Sequence, residues 1–251
     1  MNRLTSAFVT ALIVPMVAGG LAGCTAPGEA PRSVPLHSAT TPVDREHPWW
    51  KERTAGIQAN VDRGDARLIF IGDSITQGWG SVGWSTWESF YVPRGGVNLG
   101  ISGDRTQHVL WRLQNGHLDG IDPELAVIMI GTNNAGDNTS QEIADGVEAI
   151  VNTVQEKLPD TEVLILAIFP RGATPEDLRR RVNDGATAIF AALAERDGVE
   201  FLDIGDAFLS GDGTLPKDVM PDLLHLTPEA YQTWAVEIED HVNEAVGPLP
   251  R

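Results

Sequence analysis

Short apolar runs alternate along this chain with longer stretches in which apolar residues return every three or four positions. The runs Leu68–Ile71, Val97–Ile101, Leu125–Ile130, Val163–Phe169 and Val199–Ile204 have strand length and predict five strands buried on both faces. Between the third and fourth, Ile143, Val147, Ile150, Val151 and Val154 recur at helical spacing behind Thr139-x-x-Glu142, a capping box. A helix from about Ser140 to Leu158 is expected. Thr174-Pro175 and Thr227-Pro228 each read as a cap followed by proline at the first helical position, so two more helices should open there. Strands alternating with helices predict a three-layer α/β/α sandwich on a five-stranded parallel sheet. Parallel strands need both faces covered and right-handed crossovers, and functional side chains gather at their C-terminal ends.

The pattern fails ahead of the first strand. From Thr25 to about Pro48 the chain is rich in Pro, Ser, Thr and Ala with no apolar period, which predicts a tether. Before it, Arg3 precedes an apolar run from Ala7 to Ala22, shorter than the ~20 residues a membrane-spanning helix needs, and this is a signal-peptide pattern. Its end, Leu21-Ala22-Gly23-Cys24, resembles the lipobox of bacterial lipoproteins, whose cysteine becomes the lipidated first residue of the mature chain. Cys24 is the only cysteine, so no internal disulfide can form. The resemblance implies export and attachment to the outer face of a bacterial cell membrane through lipid alone. The expected division is a signal peptide over 1–23, the lipidated Cys24 and a flexible linker over 24–48, and one folded domain over 49–247.

Charge narrows the partners. With 35 acidic against 18 basic residues the formal net charge is -17, a field that repels phosphate backbones, so nucleic acid is not an expected partner.

Candidate chemistry sits at strand ends. Ser74, in Gly72-Asp73-Ser74-Ile75-Thr76, follows the first strand directly, where an open α/β sheet exposes its side chains. A serine hydroxyl needs a base, and the base needs an orienting acceptor. Asp222-Leu223-Leu224-His225 supplies both, just before the last expected helix, where its loop can fold over the C-terminal edge of the sheet. Taken singly, such a serine is commonly a turn residue and such an Asp/His pair an exposed loop pair. Together with Asn98-Leu99-Gly100-Ile101-Ser102-Gly103-Asp104 and Gly131-Thr132-Asn133-Asn134, in this order, they resemble the four blocks of the SGNH (GDSL-type) hydrolases. Asn133-Asn134 is similar to the branch of the platelet-activating-factor acetylhydrolase catalytic subunits. The resemblance spans about Ala66 to Trp234 and implies a flavodoxin-like SGNH fold.

It further implies that Ser74 attacks, His225 transfers the proton and Asp222 orients it, while the Ser74 amide, the Gly103 amide and the Asn133 side chain bind the oxyanion. The implied reaction is hydrolysis of a small carboxylic ester, an acetyl ester foremost, through an acyl-enzyme. A carbohydrate O-deacetylase, or a lysophospholipase or thioesterase, stands as the alternative, and a glycan-binding lipoprotein without catalysis is the reading from another class.

Other patterns lead elsewhere. Gly78-Trp79-Gly80-Ser81-Val82-Gly83 fits a dinucleotide fingerprint, but its glycines come late after the strand and no acidic ribose partner follows the second. Position 76 is threonine, so no Gly-x-Ser-x-Gly elbow surrounds Ser74. His37, His47, His108, His117 and His241 lack ligand spacing, so neither metal nor cofactor is expected. Trp79, Trp84 and Trp87 could wall an acyl pocket or pack the core. Asp104 is read as a cap of the following helix and Arg105 as a surface pairing residue.

Overall fold

The structure, a computed structural model, describes residues 34–249. The apolar run Ala7–Ala22 and Cys24 lie outside them. The strands are β1 (Leu68–Gly72), β2 (Gly96–Asn98), β3 (Leu125–Met129), β4 (Glu162–Leu166) and β5 (Val199–Leu202). They form one sheet in the order β2-β1-β3-β4-β5, every neighbouring pair parallel. All five match expected runs. β2 is shorter than its run, yet the chain beyond it still follows β1, through Leu99 N–H to Phe70 O at 2.8 Å and Ile101 N–H to Gly72 O at 3.3 Å.

Side chains alternate across each strand, and two cores result. Ile69, Ile71, Ala126, Ile128, Val163 and Ile165 face a layer made by α1 (Pro48–Val61), α4 (Thr106–Arg112), α5 (Ser140–Lys157) and α6 (Leu178–Phe190). Leu68, Phe70, Val127, Met129 and Leu164 face the other, made by α2 (Ser74–Gln77), α3 (Trp84–Phe90), α7 (Pro228–Glu237) and α8 (Glu239–Val246). The second core is aromatic. Trp79 lies 4.6 Å from Tyr231 and 4.9 Å from Trp234 between ring centroids, and Phe70 lies 5.2 Å from Trp87. Trp79 and Trp87 therefore pack the core, while Trp84 is largely exposed. Each buried aromatic removes a large apolar area from water, and such pairs contribute about 0.5–1.5 kcal/mol beyond that.

Helix starts follow local chemistry. Thr139 caps α5 through Glu142 N–H, and Glu142 returns a bond to Thr139 N–H, the expected capping box. Thr227 caps α7 with Pro228 in its first turn, again as expected. The helix expected at Thr174-Pro175 instead begins at Leu178. Asp177 is the stronger cap there: its carboxylate accepts both Arg179 N–H and Arg180 N–H at 3.0 Å, satisfying two of the orphan donors of the first turn. The Thr174-Pro175 segment becomes the turn that precedes it, with Asp177 N–H bonded to Thr174 O at 3.1 Å.

The N-terminal flank also departs from a free tether. Ala39 and Thr40 are buried, Ala39 O accepts Thr106 Oγ1–H at 2.7 Å, Val43 N–H reaches Gln107 O at 3.2 Å, and His37 Nε2 lies 3.1 Å from Asp145. Composition suggested no apolar face. These residues are instead held by hydrogen bonds to α4 and α5, which leave no periodic trace in the sequence.

Candidate active site

Ser74 is the first residue of α2 and stands directly beyond β1. Asp73 caps that helix, its Oδ1 accepting Ile75 N–H at 3.0 Å. Tyr231 Oη on α7 donates to Ile75 O at 2.7 Å, so the turn that carries Ser74 is held both by its own cap and by α7. Asp222 and His225 lie in the loop before α7, separated from Ser74 by most of the chain but brought to the same edge. His225 Nε2 is 2.9 Å from Ser74 Oγ, and His225 Nδ1 is 2.6 Å from Asp222 Oδ2. Asp222 Oδ1 also accepts the backbone N–H groups of His225 at 2.8 Å and Leu224 at 3.1 Å.

Partial burial alone would push the Asp222 carboxyl up, but these N–H groups and the His225 ring hold it below the usual carboxylate range. The ionised form is the one that can accept Nδ1–H. Leu223, between them, is the one non-glycine residue with positive φ (62°) among the described residues, and its carbonyl accepts Gly172 N–H at 3.0 Å. Strained backbone of this kind persists where surrounding contacts over-determine it, and it clusters at functional loops.

The other two expected site residues lie against one another, beside the loop that packs on α2. Gly103 follows the extension of β2 with φ of 72°, a left-handed conformation that favours glycine. The approach is tight: at Gly100 an added Cβ would sit 2.3 Å from Gln77 N, so only glycine lets this loop lie against α2. Asn98 and Gln77 staple it there, through Asn98 Nδ2–H to Thr76 O at 2.9 Å and Ser102 N–H to Gln77 Oε1 at 2.7 Å. Asn133, beyond β3, donates from Nδ2 to Asp104 O at 2.9 Å, so this amide lies against the same turn as Gly103 and keeps a second N–H. Asn134 is fully buried and accepts Thr106 N–H at 3.1 Å while its amide reaches Thr106 Oγ1, Gln107 and Asn138, each at 3.1 Å.

Two features were not legible beforehand. Asp104, expected only to cap a helix, is completely buried and bonded to Arg112 Nε at 2.8 Å, Trp50 Nε1 at 2.7 Å and Arg45 Nη1 at 3.2 Å. The cap of α4 falls to Arg105, whose N–H is taken by His108 Nδ1 at 3.0 Å; Arg105 also pairs with Asp137 at the surface, as expected. Arg171 is the second. Half-buried beyond β4, it donates from Nη1 to Thr132 O at 3.0 Å and Thr132 Oγ1 at 3.1 Å, tying the Asn133 loop to the strand on its far side. A cavity of about 390 Å³ opens near β4 and β5 between Arg180, Asp184, Phe201 and Asp203; Ser74, Asp222 and His225 do not line it.

An α/β/α sandwich with a serine, an imidazole and a carboxylate in hydrogen-bond sequence at its strand edge defines the class of hydrolases that use an activated hydroxyl. Residues 70–233 match the GDSL-like lipase/acylhydrolase family, and the chain belongs to it as a GDSL-type serine ester hydrolase. It is 41% identical over 170 residues to platelet-activating factor acetylhydrolase IB subunit alpha1 of Bos taurus, covering 66% of this chain and 71% of that protein. It is 35% identical over 201 residues to the alpha2 subunit of Gallus gallus, covering 80% and 85%. In fold it resembles a GDSL-like lipase from Bacteroides thetaiotaomicron, with a TM-score of 0.61 at 22% identity over 77% of this chain and 97% of that one.

Proposed function

We propose that this hydrolase cleaves small carboxylic esters, acetyl esters foremost, through an acyl-enzyme formed on Ser74. The observation that carries the reading is the unbroken line from Ser74 Oγ through the His225 ring to Asp222, at 2.9 and 2.6 Å. In this reading His225 Nε2 takes the Oγ proton as Oγ bonds to the ester carbonyl carbon. Charge developing on the carbonyl oxygen is met by the Ser74 and Gly103 amides and the free N–H of Asn133, donors that are already held in place and so cost little reorganisation. Collapse breaks the bond to the alcohol oxygen, which leaves with the proton from His225. Water then attacks the acyl carbon, giving one proton to His225; collapse breaks the bond to Ser74 Oγ, His225 returns the proton to that oxygen, and the carboxylic acid leaves with Ser74 and the neutral imidazole restored. Asp222 keeps Nδ1 protonated and stabilises the imidazolium without taking the proton.

The short acyl chain is supported by the acetylhydrolase relatives. It is also consistent with Trp79 and Trp87 being committed to the core rather than to the wall of a long acyl pocket. The lipobox at Cys24 supports a second reading for the alcohol: an acetylated carbohydrate outside the cell, reached by an enzyme tethered through lipid. A ladder of p-nitrophenyl esters from acetate to palmitate, run beside acetylated xylan with wild type and Ser74→Ala, tests both. The expected result is turnover that falls with chain length and vanishes in Ser74→Ala. Preference for palmitate would replace the acetyl reading, and activity in Ser74→Ala would remove Ser74 as nucleophile.

A further inference from the structure

The turn that carries Gly103 is gripped by a residue that lies ahead of the family-matched region. Arg45 Nη1 donates to Ser102 O at 2.8 Å and to Asp104 Oδ1 at 3.2 Å, so one nitrogen bridges the residues on either side of Gly103. The guanidinium rests beside the glycine itself: a Cβ built there would lie 3.3 Å from Nη1. The Arg45 Cζ lies over the Trp49 ring, 5.0 Å from its centroid, and the residue after Trp49, Trp50, donates its indole N–H to the same Asp104 Oδ1 at 2.7 Å. The peptide so held has a second role. Asp104 O is the acceptor that orients Asn133 Nδ2, so the two oxyanion donors outside the nucleophile's own turn both depend on the placement of residues 102–104. Glycine populates positive φ about as readily as negative, so Gly103 by itself does not fix the turn, and a flexible turn would aim its amide only part of the time.

We propose that Arg45 is a positioning residue for the oxyanion hole, and that the segment from His37 to Trp50 is a strap that completes the active site. Resting on the function proposed above, the idea adds a contribution from a part of the chain that the family match, 70–233, does not include. Arg45 does not touch substrate. It fixes the direction of the Gly103 N–H and, through Asp104, of the Asn133 amide, so its loss misplaces donors that act on the transition state more than on the bound ester.

The test compares Arg45→Met with wild type, Ser74→Ala and Lys51→Ala. Lys51, the residue after the segment, pairs with Glu46 within it and has no hydrogen bond to the turn, so its variant should keep wild-type kcat. Arg45→Met should lower kcat about 10- to 100-fold with KM unchanged, the scale of a displaced rather than deleted donor. The affinity for a trifluoromethyl ketone, which forms a tetrahedral adduct with the serine, should fall by the same factor, while affinity for the acetate product stays. If Arg45→Met does not fold, Arg45→Lys is read the same way, with an intermediate loss expected. Wild-type kcat and ketone affinity in the variant that folds overturn the proposal, as does a loss confined to melting temperature and KM. Activity in Ser74→Ala would instead overturn the function on which the proposal rests.

Discussion

Asn133 Nδ2 donates to the Asp104 carbonyl at 2.9 Å, so one of its two amide hydrogens belongs to the fold, and in the proposed reading the other serves the oxyanion. Loss of the side chain therefore has two separable effects. Asn133→Ala should lower kcat about 10²- to 10³-fold with KM nearly unchanged, the signature of a donor used in the transition state. It should also lower stability by about 1 kcal/mol for the lost bond to Asp104. Steady-state kinetics and a melting curve on one preparation read both. A lowered melting temperature with unchanged kcat would take Asn133 out of the oxyanion hole.

Asp222 accepts three N–H groups, of which only the ring Nδ1–H bears on proton transfer. In Asp222→Asn the remaining oxygen can still take the backbone donors, so the loop should fold. The amide would favour the wrong imidazole tautomer, and kcat should drop by up to ~10⁴-fold. Near-wild-type turnover would mean that another group orients His225.

Burial raises the Asp73 carboxyl to about 7; the Ile75 N–H opposes this and the nearby Asp104 adds to it. Its Oδ2 is buried without a hydrogen-bond partner, which accords with a neutral acid. Between the unfolded value of 3.8 and about 7 the native state holds more protons than the unfolded state. This group's contribution is therefore full below 3.8 and is lost as pH rises through 7. Asp73→Asn keeps an acceptor for Ile75 N–H and removes the titration. The melting temperature of the variant should exceed that of wild type by more at pH 8 than at pH 4, by the equivalent of a few kcal/mol. An equal difference at both pH values would contradict this.

His117 and His108 act in the opposite sense. Burial lowers His117 to about 3, with Arg112 adding to the shift, and lowers His108 to about 4 against the pull of Asp104. Arg112 Nη1 lies 3.1 Å from His117 Nδ1 and can only donate, so the ring is neutral with its hydrogen on Nε2, directed to Thr54 O at 3.2 Å. Both histidines charge more readily when unfolded, so the stability they allow is full above 6.5 and is lost as pH falls toward 4 and 3. His117→Gln, which can keep an acceptor and a donor, should lose less stability than wild type between pH 7 and pH 4.5 in denaturant titrations. Equal losses would show that the ring is not held neutral.

The lipobox reading has its own test. Cys24→Ser should move the protein from the membrane fraction to the soluble one, with ester turnover per molecule unchanged. An acyl anchor holds through buried CH₂ groups at ~0.8 kcal/mol each, and stable attachment needs more than one chain. A variant that stays on membranes after alkaline washing would refute lipidation at Cys24.

What the sequence determined by itself is what short-range physics encodes. The runs Leu68–Ile71 and Leu125–Ile130 read as strands because four to six consecutive apolar residues are too short for a buried helix and fit a parallel sheet covered on both faces. Thr139 with Glu142, and Thr227 with Pro228, mark helix starts because a cap satisfies donors two or three residues away. Ser74, Asp222, His225, Gly103 and Asn133 stood out as candidates because each lies in a motif at a strand end or before a helix.

Tertiary structure decided what depends on partners far along the chain. Whether Trp79 walls a pocket or packs against Trp234 turns on the placement of α7, which no local pattern specifies. Between Thr174 and Asp177 the start of α6 went to the residue whose carboxylate could take two N–H groups, a competition settled by geometry. Asp104 became a buried ion-pair centre only because Arg45 and Trp50 from the N-terminal strap and Arg112 from α4 meet there to offset the cost of removing its charge from water. Residues 37–47 have the composition of a tether, and hydrogen bonds to α4, α5 and the Gly103 turn hold them on the domain. Such bonds depend on where donors and acceptors meet in space, and apolar periodicity carries no record of them.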